Sequence, residues 1–222
     1  MSSVEVPFGR LAGWLRRFVT RNGDIVSLEY AEHTLIATTS RGGSAQVTGA
    51  WDALAVADPG PGHGIEDIVT ACAPPHHAAV ILVRRGGFSL GLVDMDGAEL
   101  DVRASKTGST YVQGRTAAGG QSQQRFARRR ANQADKLVKS AETAAQRVFS
   151  DVGPLDLLIT GGDRPLIDDL LGRPALSWSR SVEHTAHVPV PTPKRRILDD
   201  AVTAATSLRI QVDNAPEGDL TQ

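Results

Sequence analysis

The feature that most constrains this chain is a helical pattern of unusual length. From Ser122 to about Phe149, small and apolar residues recur at helical spacing: Phe126, Ala127, Ala131, Ala134, Leu137, Val138, Ala141, Ala145 and Val148. They predict one long helix with a buried stripe, on which Arg125, Arg128, Arg129, Lys136 and Lys139 lie largely away from the apolar side. Gly153-Pro154 stops it. A helix of this length needs a sheet or other helices to cover its stripe, and the flanking sequence supplies candidates for both.

After the helix, Leu155–Thr160 is a continuous apolar run, the pattern of a strand buried on both faces, ending in Gly161-Gly162-Asp163. A short helix is predicted over Arg164–Leu171 and an amphipathic one over Lys194–Thr206, with Ile197, Leu198, Ala201, Ala204 and Ala205 inward. Leu208–Val212 reads as a last strand, and 214–222 as a disordered tail. Before the helix, Ala78–Val83 and Phe88–Val93 flank Arg84-Arg85-Gly86-Gly87 as a hairpin, and Glu99–Ala104 alternates as a third strand. Nearer the N-terminus, Gly9–Val19 is amphipathic, with Leu11, Trp14, Leu15 and Phe18 on one face. Short strands follow at Ile25–Tyr30, Thr34–Thr39 and Ser44–Thr48, the last two joined as a hairpin by Arg41-Gly42-Gly43. Ile65–Cys72 fits a short helix or a strand. The sum is an α/β chain of mixed α+β character, a central mixed sheet flanked by helices, expected as one domain over 1–213.

Charge narrows the function classes. The chain of 222 residues has a net charge of −1, but the stretch from Arg103 to Arg147 holds ten basic residues against Asp135 and Glu142 alone. That segment carries +8 and the remainder −9, an asymmetry suited to presenting one part of the chain to a polyanion. No apolar run approaches the roughly 18–20 residues of a membrane span, and the start of the chain lacks a signal-peptide pattern. The single cysteine, Cys72, reads as a small buried residue and fits a reducing compartment; a cytoplasmic location is expected. Pro59–Gly64 is a flexible loop without the Lys-Ser/Thr of a phosphate-cradling loop.

Metal chemistry has weak candidates. His76-His77 and His184 with His187 are joined by no cysteine or carboxylate cluster. Asp94, Asp96, Glu99 and Asp101 raise a nuclease-like metal site, but their alternation reads better as a solvated face. No metal and no cofactor is expected.

The loop at Gly114–Gly120 is built of small residues that cannot pack a core, and it delivers Gly119-Gly120-Gln121 to the start of the long helix. The tripeptide alone is weak, expected by chance in roughly one such sequence in ten. Its context is specific. Gly119-Gly120-Gln121-Ser122-Gln123-Gln124-Arg125-Phe126-Ala127-Arg128-Arg129-Arg130 resembles the catalytic middle domain of eukaryotic and archaeal class-I translation termination factors, where a Gly-Gly-Gln loop runs into Ser-x-x-Arg-Phe-Ala-Arg and a long basic helix. The likeness continues through Ala141-Glu142-Thr143-Ala144 and Leu157-Leu158-Ile159-Thr160-Gly161-Gly162-Asp163. Termination factors carry further domains for stop-codon reading and partner factors. This chain is more similar to the Vms-type release factors, including their actinobacterial members, and its 20 Arg against 4 Lys suit a GC-rich bacterial genome.

The resemblance implies a sheet of ribonuclease H-like topology and a codon-independent peptidyl-tRNA hydrolase that rescues stalled ribosomes. Gly119, Gly120 and Gln121 would be catalytic, with Gln123 and Gln124 as alternatives for the glutamine role. Arg115, Arg125, Arg128, Arg129, Arg130, Lys136 and Lys139 would bind RNA. The partners implied are the peptidyl-transferase region of the large ribosomal subunit and peptidyl-tRNA, with no DNA and no membrane. The competing expectation is a non-catalytic ribosomal-RNA-binding protein that keeps the fold.

Overall fold

The computed structural model describes residues 2–31, 34–49, 64–74, 76–97, 99–109 and 121–216, of which 31 and 121–127 are described by backbone alone. Two compact units emerge where the sequence reading expected one domain: the first comprises 1–75, 96–99 and 206–222, the second 76–95 and 100–205. The predicted loops at Pro59–His63 and Gly114–Gly120 lie outside the described residues.

The first unit is a five-stranded antiparallel sheet with helices on one face. Its strands are β1 (Ser2–Pro7), β2 (Ile25–Ala31), β3 (Thr34–Thr39), β4 (Ser44–Thr48) and β10 (Ser207–Asp213), in the order β1-β10-β4-β3-β2. Strict alternation in β3 and β10 puts every second residue into the core. There Leu35, Ala37, Leu208 and Ile210 meet Leu11, Leu15 and Phe18 of helix α1 (Leu11–Asn22) and Ile68 of helix α2 (Ile65–Ala71). Ile65–Cys72 is thereby settled as helix. The tail expected from 214 is anchored at its start: the Ala215 N–H donates to Asn22 Oδ1 at 2.8 Å, and Asn22 Nδ2 donates to Asn214. Asn22 is itself fully buried, so these bonds satisfy its amide.

The second unit holds the mixed sheet flanked by helices. Its strands are β5 (His77–Arg84), β6 (Gly87–Asp96), β7 (Glu99–Ser109), β8 (Leu157–Gly162) and β9 (His184–Val188), ordered β7-β6-β5-β8-β9. β5 and β6 form the expected hairpin, and β8 and β9 lie parallel to β5. Contacts of Ser89 with Thr107 and of Asp94 with Arg103 run in opposite order along β6 and β7, so this pair is antiparallel. The resulting order, three antiparallel strands and then two parallel ones, is the ribonuclease H-like arrangement the resemblance implied.

Both faces of this sheet are covered, which explains why β5 and β8 read as continuous apolar runs. Ala79, Ile81, Val83, Phe88, Leu90 and Leu92 face helices α3 (Gln121–Val148) and α4 (Arg164–Leu171). Ala78, Val80, Leu82, Leu157 and Ile159 face helix α5 (Arg195–Ala205), whose buried residues are Ile197, Leu198, Ala201, Val202 and Ala205. Ala204, expected inward, is exposed, and Val202 takes that side.

The expected buried stripe on α3 exists over only half of the helix. Leu137, Val138, Ala141, Ala144, Ala145 and Val148 are buried against the sheet, whereas residues 128–132 are all exposed, Ala131 among them. Periodicity continues toward the N-terminus, but among the described residues none covers the helix at 128–132. The helix therefore leaves the core as a stalk, exposed at Arg128 to Asn132 and continuing as backbone to Gln121, about 22 Å from Lys136 at 1.5 Å per residue. Such a stalk can persist because the packed half supplies the nucleus, and only propagation through good formers such as Ala, Arg and Gln remains.

The C-terminal end of β8 is fixed by one glycine. Gly162 has φ +110°, and a Cβ there would fall 2.1 Å from the Val83 carbonyl oxygen. The next residue donates its N–H to that oxygen at 2.7 Å, and the Asp163 carboxylate accepts the Arg85 N–H at 2.9 Å. Gly162→Ala should thus destabilise the protein by at least about 2 kcal/mol, read by chemical denaturation. A loss below about 0.5 kcal/mol would mean that the turn tolerates a side chain. The half-packed helix makes a paired prediction. Ala145→Gln should destabilise by about 2–4 kcal/mol through overpacking and polar burial, and Ala131→Gln by less than about 0.5 kcal/mol. Comparable losses at both positions would refute the stalk.

Candidate functional site

α3 determines where the predicted site residues stand. Gly119, Gly120 and Arg115 lie outside the described residues. Gln121 is the first residue of the helix, at the end of the stalk farthest from the core, and Gln123, Gln124 and Arg125 follow within its first two turns. Of these four only the backbone is described. Arg128, Arg129, Arg130, Lys136 and Lys139 are all exposed.

Helical geometry sorts those cations. At 100° per residue, Arg128, Arg129, Lys136 and Lys139 share an arc of about 100°, and Arg147 near the C-terminal end falls at its margin. The buried stripe centres on the opposite side. Arg130 stands on that side too, yet is exposed because the helix has already left the core. Among the described residues one of these cations has an acidic partner: Lys139 Nζ meets Asp135 Oδ2 at 2.9 Å, four residues apart on the helix surface. A pair of this kind contributes about 0.3–0.5 kcal/mol, little enough for a phosphate to displace the aspartate. The arc is thus a positive rail, extending about 16 Å along the helix from Arg128 to Lys139.

The metal candidates separate in the structure. His184 and His187 lie three apart on one strand, an odd spacing that sends their side chains to opposite faces. His187 Nδ1 is 3.0 Å from Thr160 Oγ1; burial holds its imidazole below the usual histidine range, the Arg164 charge adds to this, and Asp168 opposes it. His76 Nδ1 is 3.1 Å from the Met95 carbonyl, and His77 Nδ1 is 2.8 Å from Asp94 Oδ1. Asp94 also pairs with Arg103 at 3.5 Å. Among the described residues no three His, Cys, Asp or Glu side chains converge. Cys72 is fully buried, and burial pushes its thiol up to about 12, a value at which it is neither nucleophile nor ligand.

What sequence reasoning missed is the stalk itself. Its signal was present in Arg130, which at 100° per residue falls on the same side as Leu137, Ala141 and Val148, where a helix packed along its whole length leaves no room for a guanidinium.

Comparison with known proteins adds an independent line. Among solved structures, one titled "Vms1 mitochondrial localization core" aligns over 79% of this chain and 75% of its own, at 12% identity and a TM-score of 0.39. Another, titled "Archaeal protein", aligns over 91% of this chain and 64% of its own, at 18% identity and a TM-score of 0.31. No curated protein matches. The sequence pattern described as "Actinobacteria/chloroflexi VLRF1 release factor" matches residues 76–211, which take in the whole second unit and most of β10. With the Gly-Gly-Gln sequence leading into an exposed basic helix on that unit, the chain belongs to the actinobacterial and chloroflexi VLRF1 release-factor family.

Proposed function

We propose that this protein is a peptidyl-tRNA hydrolase that frees nascent chains on stalled ribosomes or their large subunits in the cytoplasm, without reading a codon. Membership of a release-factor family implies interaction with the ribosome. The observation that carries the finer reading is the position of Gln121, the first residue of a long helix whose exposed arginines, Arg128 to Arg130, stand between it and the packed half. A reactive loop that must enter a narrow RNA-walled pocket needs this kind of projection.

The chemistry follows from the residue types. Water adds to the carbonyl carbon of the ester between peptide and tRNA, and the tetrahedral intermediate expels the ribose oxygen, which takes a proton. Gly119 and Gly120 lack the Cβ that would hold their backbone N–H groups away from the ester. A backbone donor aimed at the developing oxyanion typically contributes about 2.7–4 kcal/mol. The Gln121 amide does not titrate, so it acts by orienting the water, with Gln123 and Gln124 near enough in sequence to substitute. Protons would move through the ribose hydroxyls of the tRNA. Arg115, Arg125, Arg128, Arg129, Arg130, Lys136 and Lys139 contact phosphates and hold the loop in place.

Gln121→Ala should lower single-turnover release of labelled peptide by about a hundredfold or more while leaving ribosome affinity near wild type. Release at the wild-type rate would shift the role to Gln123 or Gln124. Folded Gly120→Ala should be impaired to a similar degree, and normal activity there would remove the backbone donor from the mechanism. Replacing Arg128 and Arg129 together by glutamine should flatten the salt dependence of binding to large subunits by roughly one unit of log–log slope per lost contact. Release at saturating protein should then fall far less than for Gln121→Ala. An unchanged slope would mean that these arginines do not touch RNA, and a wild-type protein that binds ribosomes but releases no peptide would be a non-catalytic RNA-binding relative.

A further inference from the structure

The second unit carries a groove that the release chemistry does not use. It lies between β7 and the packed half of α3 and has a volume of about 640 Å³. Buried Phe88 and Val148 form its floor, while Lys106 of β7 and Arg147 and Ser140 of α3 stand at its rim. All three rim residues are exposed, and among the described residues neither Lys106 nor Arg147 has an acidic partner.

Two details of the backbone build this groove. Leu100 and Val102 pack toward the α5 side of the sheet, whereas Ala104 packs toward α3, so the alternation of β7 slips between Val102 and Ala104. The slip turns Ala104, Lys106 and Gly108 onto the α3 side. Gly108 then lets the Phe88 ring lie flat against the strand, since a Cβ there would fall 2.5 Å from two ring carbons. An aromatic floor at that depth depends on the missing side chain.

The groove is continuous with the rail on the stalk. Arg147 lies on the same arc of α3 as Arg128, Arg129, Lys136 and Lys139, about 28 Å along the helix from Arg128. An anionic strand following the rail away from the reactive loop would therefore arrive between Arg147 and Lys106. We propose that this groove is a docking site for a single-stranded RNA segment, with phosphates on Lys106 and Arg147 and a ribose or base over the Phe88–Val148 floor. Ser140 supplies a hydroxyl partner for phosphate or for the 2′-OH. A strand with free bases can lower a nucleotide into a groove of this volume, while a duplex can only lie across its rim. The inference deepens the reading of the stalk as an RNA rail and adds an RNA contact about 39 Å from Gln121 along the helix.

The test uses the full chain and a fluorescent twelve-nucleotide single-stranded RNA, with a duplex of equal length as competitor. Lys106→Gln with Arg147→Gln should reduce the log–log salt slope for the single strand by about 1.4, at roughly 0.7 per lost contact. Ser140→Trp, which fills the groove without touching a charge, should weaken single-strand binding at least about tenfold with the slope unchanged, and leave duplex binding unaffected. Thermal melts identify any variant that fails to fold, and Ser140→Trp on an exposed position serves as the second probe. An unchanged slope in the double glutamine variant, unchanged affinity in Ser140→Trp, or equal loss of duplex binding in Ser140→Trp would each overturn the proposal, the last by showing a surface that reads charge alone. Peptide release reports separately. Active wild type with groove variants that bind normally would sink the groove and keep the hydrolase reading, and inactive wild type with groove variants that lose the single strand would do the reverse.

Discussion

Everything at the outer end of α3 depends on how its inner half is held. Leu137, Val138, Ala141, Ala144, Ala145 and Val148 bury against Ala79, Ile81, Val83, Phe88 and Leu90 in a single cluster. Full burial of a side chain such as Leu or Val stabilises by about 1.5–3 kcal/mol, so these few contacts hold the helix firmly enough to act as a bracket. The unpacked half has no tertiary support among the described residues and inherits its direction from that bracket. Gln121, at the first position of this helix, is held on a regular element whose axis is set by a core some 22 Å behind it.

The charge distribution follows from the same division. Where α3 is packed, cations are confined to the side away from the sheet, as at Lys139 and Arg147. Where it is free, they surround the helix, as at Arg128 to Arg130. A net charge of −1 for the chain conceals this, because the acids lie almost wholly outside the segment that projects. The anion-seeking part of the molecule is thus also the part that stands clear of its fold.

Most of the architecture was legible wherever burial imprints a period on the residues. β3, β4, the β5–β6 hairpin, α4 and α5 emerged within about three residues of their sequence-based bounds. β1 did not, because of its described side chains only Val6 is buried and its partner β10 lies some two hundred residues away. β9 was missed for a similar reason: Ala186 and Val188 alone are buried, and the rest of His184–Val188 is polar. β7 runs five residues past Ala104 through Ser105, Lys106, Thr107, Gly108 and Ser109, an exposed polar stretch that only pairing with β6 makes a strand. The division into two units was invisible, since an apolar residue does not declare which of two cores it enters. The candidate site was readable as a motif, through Gly119-Gly120-Gln121 and the basic run behind it, whereas its projection was not, because periodicity records what a helix could bury and not what stands opposite.

The central claim is that the loop ahead of α3 directs water at the ester of peptidyl-tRNA. Its most direct test is the chemistry of the products formed by the wild-type protein on large subunits carrying peptidyl-tRNA, in water enriched in oxygen-18. Hydrolysis at the ester predicts a free peptide whose new carboxylate holds one heavy oxygen, together with tRNA that keeps its terminal adenosine. Peptide that leaves still joined to a nucleotide would mean cleavage of a phosphodiester instead, and no release at all would mean that the stalk only binds. Either result would contradict the account.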